Sequence, residues 1–217
     1  MKLKKIASLM LAGVMAVSML AGCSGKDTND NNGQENNGGQ ATGVSATFAS
    51  YLSKDNVKFN DSSNNKSVLS KAVLEIDDSE IKGVTNVDMV DKNGNLAKAV
   101  GRVMVAEFTD GSGAVAWIKD NVTKKTTYYT IYKAPGDLDK DVVLEQVAAD
   151  MDDLLASMPK NSLDEGEKLE QDAKYYTFDY TGSVSMTDVD TKNGADSAWF
   201  VMITLTVNPT EAKAPKA

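Results

Sequence analysis

Histidine is absent from this chain, and cysteine occurs once, at Cys23. Without histidine there is no His-dependent triad and no zinc site of the ordinary kind, and a lone thiol has no partner within its own chain. Long apolar runs are missing too. The stretch from Ile6 to Leu20, "IASLMLAGVMAVSML", has 15 residues with two serines and no charge, whereas a transmembrane helix needs about 20. Basic residues are outnumbered, 23 against 31 acidic. Such a balance repels phosphate backbones and anionic head groups, which argues against a nucleic acid partner.

What is present begins with a basic start, Lys2, Lys4 and Lys5, ahead of that apolar stretch, and two small residues, Ala21 and Gly22, after it. This is the three-part layout of a secretory signal over residues 1–22. Leu20, Ala21, Gly22 and Cys23 together resemble the lipobox of bacterial lipoproteins. The resemblance covers only this N-terminal part of the chain; the folded remainder resembles no family. It implies that the signal is cut before Cys23, that the thiol carries a diacylglyceryl group and that the new amine is open to acylation with a fatty acid such as palmitate. Two acyl chains meet the requirement for stable anchoring, each buried methylene contributing about 0.8 kcal/mol. The implied location is the outward face of a bacterial cell membrane, with the membrane itself as the first partner. Three of the lysines precede Cys23, so the mature part carries 20 basic and 31 acidic residues, a net charge of −11.

Residues 23–43 follow as the lipidated cysteine and a polar linker of Asn, Gly, Gln, Asp, Thr and Ser. With so little apolar surface to bury, this composition predicts disorder, and Gly-rich statistics give a span of roughly 25 Å. Residues 44–208 are long enough for one domain with a real core, and 209–217 read as a flexible tail.

Within the domain, Tyr176, Phe178, Tyr180, Val184 and Met186 alternate with polar residues, and Val201, Ile203, Leu205 and Val207 repeat the pattern after the turn "DTKNGADS". Period 2 with a turn between predicts a C-terminal hairpin with one apolar face. A helix is predicted from about Asp137 to Met158. Val143, Leu144, Val147, Ala148, Met151, Leu154, Leu155 and Met158 fall on one arc of roughly 140°, Asp137 can cap it and Pro159 stops it. "SATFASYLS" reads as a short helical turn, "KDNVKFNDSSNNKS" as a loop, and "SVLSKAVLEI" as either helix or strand. "KGVTNVDMV", "AVGRVMVAEF", "AVAWI" and "TTYYTIYK" read as strands. The expected fold is α+β, a mainly antiparallel sheet made of a strand meander plus the C-terminal hairpin, packed against one long amphipathic helix.

Motifs for chemistry are weak. Asp137, Asp139 and Asp141 have calcium-loop spacing, but Val142 stands where Gly is needed and Ala148 where the bidentate Glu belongs. Asp91, Asn93 and Asn95 fail the same tests at Leu96 and Arg102 and suit a hairpin turn. Ser63 with Lys66 and Ser157 with Lys160 have Ser-x-x-Lys spacing without the motifs that accompany it in acyl-transferring enzymes. No cofactor or metal is expected. Six tyrosines fall in two strand-like pieces, Tyr128, Tyr129 and Tyr132 before the helix and Tyr175, Tyr176 and Tyr180 after it. Adjacent residues of a strand point to opposite faces, so some of these rings are expected on a wet face, where they could stack on a glycan or a protein partner. The function expected is therefore a non-catalytic binding module displayed by a membrane anchor. A carboxylate-dependent hydrolase using residues such as Glu107, Asp110 and Asp179 is the alternative, and a passive envelope component is a third.

Overall fold

A computed structural model describes residues 43–102, 106–107, 118–163 and 174–213. Cys23, Asp110 and all but the last residue of "AVAWI" lie outside the described residues. In chain order the elements are helix α1 (Val44–Ser50), strand β1 (Lys58–Phe59), helix α2 (Ser63–Ala72) continued by a 3-10 turn (Val73–Glu75), helix α3 (Asp78–Ile81), strand β2 (Asp88–Met89), helix α4 (Asn95–Gly101), strand β3 (Ala106–Glu107), strand β4 (Thr126–Pro135), helix α5 (Lys140–Ala156), strand β5 (Tyr175–Asp190) and strand β6 (Ser197–Ala212).

The frame is the β5–β6 hairpin. Each strand has 16 residues, about 50 Å of extended chain at the usual rise, and the pairing runs from Tyr175 opposite Ala212 to Asp190 opposite Ser197. Gly194 takes the left-handed conformation, φ 65°, in the turn between them. β6 continues to Ala212, four residues into the segment expected as a tail. The strand order is β1-β5-β6-β4-β2, with β3 also against β4. The β5–β6, β4–β6 and β2–β4 pairs are antiparallel, and β1–β5 and β3–β4 are parallel. The architecture is α+β with a mostly antiparallel sheet and several helices.

Side-chain parity divides the sheet between two cores. Phe178, Tyr180 and Val184 of β5, Val201 to Val207 at every second position of β6, and Tyr128 and Tyr132 of β4 join one core. α5 closes it with Val143, Leu144, Val147, Ala148, Met151 and Leu155, and Phe48 of α1 fills its end. The opposite face holds a second core, where Tyr129, Ile131, Ala198, Phe200 and Met202 meet Leu69 of α2, Ile81 of α3, and Leu96, Ala99 and Val100 of α4.

The expectation of a strand meander against a single helix is corrected by this second layer. "AVGRVMVAEF" begins inside α4 and, among the described residues, has only Ala106–Glu107 as strand, and "KGVTNVDMV" contributes only Asp88–Met89. The reason is spacing: Leu96, Ala97, Ala99 and Val100 are buried at helical intervals, one and three or four apart, which period-2 reading overlooks. "DKNGN" turns as expected, with the Asn93 N–H donating to Asp91 Oδ1 at 2.8 Å, but it leads into α4 instead of a second strand. "SVLSKAVLEI" resolves as helix, α2 and its 3-10 turn.

The outer edge of β5 is covered piecemeal, which blocks edge-to-edge pairing there. β1 pairs at Thr181 and Gly182, Val184 N–H donates to Ser45 Oγ at 2.9 Å, and Phe178 N–H donates to Lys160 O at 2.9 Å. Phe59 of β1 lies over Gly182 and packs edge-on against Phe48, ring centroids 5.1 Å apart. A Cβ on residue 182 would stand 2.4 Å from Phe59 Cε1. Gly182→Ala is therefore expected to cost about 1–3 kcal/mol by overpacking and to lower the thermal midpoint by several degrees. An unchanged melt would mean that the Phe59 ring is free to swing aside.

Candidate functional site

The tyrosines expected to form a wet row lie instead in the cores. Tyr128, Tyr129, Tyr132, Tyr175 and Tyr180 are buried, and Tyr176 is half-buried against the first core. Adjacent Tyr128 and Tyr129 do point to opposite faces, but both faces of β4 are covered by helices, so neither ring reaches solvent. Their hydroxyls serve the fold. Tyr132 Oη donates to Asp150 Oδ2 at 2.6 Å, Tyr180 Oη donates to Pro159 O, and Tyr129 Oη donates to Ala97 O at 3.4 Å. Burial pushes the Tyr128 phenol up to about 12. Burial also raises Tyr132, reinforced by its hydrogen bond to Asp150, and raises Tyr180 with Tyr128 beside it. All three stay neutral near pH 7, so none supplies a phenolate.

A different surface emerges on the second face of the sheet. Toward the far end of the hairpin, β5, β6 and β4 present Thr and Ser where the second core has Phe and Met. Register sets Thr181 and Thr127 on either side of Thr206, and Ser183 beside Thr204. Thr127 Oγ1 and Thr206 Oγ1 are hydrogen-bonded at 2.8 Å, with either hydroxyl able to donate. Asn65 of α2 reaches down to this layer, its Nδ2 donating to Thr204 Oγ1 at 2.8 Å, and Thr204 Oγ1 in turn donates to Ser183 O at 3.4 Å. The first turn of α2 is fixed by Ser62, whose Oγ accepts from Asn65 N–H at 3.2 Å, a normal N-cap.

Between this threonine floor and the residues that lead into α2 lies a groove of about 570 Å³. Among the described residues lining it, Asp61 is the one charged side chain, and its Oδ1 already accepts from Ser45 N–H at 2.9 Å. The other side chains on its wall are hydroxyls and amides. Ser183, on the floor, is 5% exposed, and its Oγ has no hydrogen-bond partner among the described residues. A buried hydroxyl without a partner loses its hydration, about 1–3 kcal/mol, and calls for an explanation.

Glu107 and Asp179, two of the acids singled out in the sequence, lie on strands that do not pair. Asp179 is exposed on β5, Glu107 lies on β3 at the opposite side of the sheet, and Asp110 is outside the described residues. A second, open groove of about 900 Å³ runs between residues 84–87 and the start of α5, with Asp137 and the Tyr132-bound Asp150 on its walls. Asp139 is the N-cap residue of α5 and Asp141 lies in its first turn, where the helix dipole favours negative charge. Among the described residues no three His, Cys, Asp or Glu side chains group as metal ligands. Ser63 and Lys66 sit exposed on α2, and Ser157 Oγ donates to Leu154 O at 2.8 Å.

The groove was foreshadowed only by parity. Thr177, Asp179, Thr181, Ser183 and Ser185 form the polar register of β5, which reads as a solvent face. Nothing in local sequence says that α2 would fold over it. No protein family matches the chain, and neither the curated proteins nor the solved structures contain a match to it.

Proposed function

We propose that the chain is a bacterial lipoprotein, held on the outward face of the cell membrane by a diacylglyceryl group on Cys23, and that residues 43–213 act as a binding module and not as an enzyme. The anchor rests on the basic start, the short apolar run and Leu20-Ala21-Gly22-Cys23. The binding reading rests on one observation, the hydroxyl- and amide-walled groove over the polar end of the sheet. Hydroxyls without an adjacent base are weak nucleophiles, and the carboxylate nearest to them, Asp61, is engaged by a backbone N–H. Such a wall suits recognition better than bond breaking.

The partner is neutral or cationic, because a mature chain of net charge −11 opposes polyanions. Incubating the full chain with insoluble cell-envelope material tests the reading. Saturable co-sedimentation without release of soluble reducing ends or peptides is expected. Turnover that is lost on changing one carboxylate, Asp179→Asn for example, would replace the proposal with the hydrolase, and no co-sedimentation would leave a structural role.

A further inference from the structure

Building on the binding reading, we infer that the groove over Thr181, Thr206 and Thr127 is a site for a neutral polyhydroxylated ligand, a segment of uncharged glycan. Its size falls in the range of small-ligand clefts, about 300–1,000 Å³. Its chemistry is that of a surface that exchanges hydrogen bonds with hydroxyls. A threonine or serine hydroxyl has one donor and two acceptor positions, of which the Thr127–Thr206, Asn65–Thr204 and Ser62–Asn65 bonds leave a part free, and Asn65 keeps one amide proton and its carbonyl. The threonine methyls give the ligand's C–H faces something apolar to rest on.

Two features select this ligand class over others. A small anion would meet the N-terminal turn of α2, but the Asn65 N–H there is taken by Ser62 Oγ and the adjacent Asp61 carboxylate repels negative charge. An apolar ligand would strip water from a wall made of hydroxyls and amides, at a cost that no aromatic ring among the described lining residues offsets. A carboxylate at the rim, by contrast, accepts from sugar hydroxyls as readily as from water.

Ser183 supplies the independent sign. It is nine-tenths buried on the groove floor, and its hydroxyl is satisfied by nothing among the described residues. Strand alternation turns it away from the first core, to which Val184 and Tyr180 belong, and toward the groove. A hydroxyl kept there is unfavourable for folding, and its oxygen, closed to solvent, gains a partner only when a polar ligand group shifts the floor around it.

That asymmetry gives a test in which stability and binding move apart. Calorimetric titration of the full chain in detergent uses an N-acetylglucosamine tetramer and an unsubstituted glucose tetramer as probes, with sodium sulfate as the anion control. Saturable binding of at least one tetramer and none of sulfate is expected. Loss of a single ligand hydrogen bond corresponds to roughly tenfold, so Thr206→Val and Ser183→Ala should each weaken binding by about that factor. Ser183→Ala should melt at or above the native temperature, because it removes an unpaired polar group without removing a bond. Sulfate binding, absence of tetramer binding, undiminished affinity in both variants, or a lower melt for Ser183→Ala would each overturn the assignment. If co-sedimentation with envelope material persists in those cases, the binding module stands and only its glycan groove falls; if it is absent as well, both fall.

Discussion

Met151→Asp is expected to abolish the cooperative thermal transition, while Met151→Leu melts within a few degrees of the native chain. Met151 is 2% exposed in the middle of the α5 stripe that closes the first core. Removing a buried methionine side chain costs about 2–5 kcal/mol through lost transfer energy and the cavity left behind. A carboxylate placed there is either left charged without a partner or protonated, at a further cost of several kcal/mol. Against a total stability of about 5–15 kcal/mol this is most of what holds the fold. Leucine keeps the volume and the apolar character, so its cost stays under about 1.5 kcal/mol. The neighbouring Asp152 makes the contrast sharp. It lies at the surface, and hydrogen bonding from Ser53, side chain first and backbone N–H second, holds its carboxyl below the usual range. Asp152→Ala should loosen the 51–55 connection and leave the cooperative melt in place. Equal damage from Met151→Asp and Asp152→Ala would mean that the opposite face of α5 is the buried one.

Cys23→Ser is expected to move the protein out of the membrane fraction. Two acyl chains on one cysteine would make release slow on the scale of cell fractionation, whereas a chain with no acyl group presents only a net acidic surface, which anionic lipid repels. Intact mass of the membrane-bound protein should begin at Cys23 and exceed the polypeptide mass by the lipid. A mature chain that begins elsewhere, or membrane partition unchanged in Cys23→Ser with signal cleavage intact, would contradict the anchor.

Much of the first core is legible in the sequence, because it obeys one period at a time. Tyr176 through Met186 and Ile203 through Val207 alternate cleanly, and Val143 through Leu155 recur at helical spacing, so face and partner follow from the pattern. The second core hides behind the same strands. "AWFVMI", Ala198 to Ile203, is apolar without a break, the mark of a strand covered on both faces, yet the alternation of Val201, Ile203 and Leu205 draws attention to one face alone. α4 is disguised by Val100 and Gly101, which open a strand-like run, and only the spacing of Leu96 and Val100 betrays it. The tyrosines mislead for the same reason: their parity is read correctly, but exposure depends on what covers each face, and the helices α2, α3 and α4 are set by tertiary packing. The groove is less legible still, since it needs the Thr181–Thr206–Thr127 register and the descent of Asn65, neither of which is local.

That the folded part binds a neutral glycan through the polar end of the second sheet face is tested most directly by amide chemical-shift mapping of the full chain during titration with the two tetramers. Shifts concentrated at Asn65, Thr127, Thr181, Ser183, Thr204 and Thr206, with residues 84–87 and Asp150 unmoved, are the result expected. Shifts confined to the open groove beside α5, or none at saturating tetramer, would contradict it.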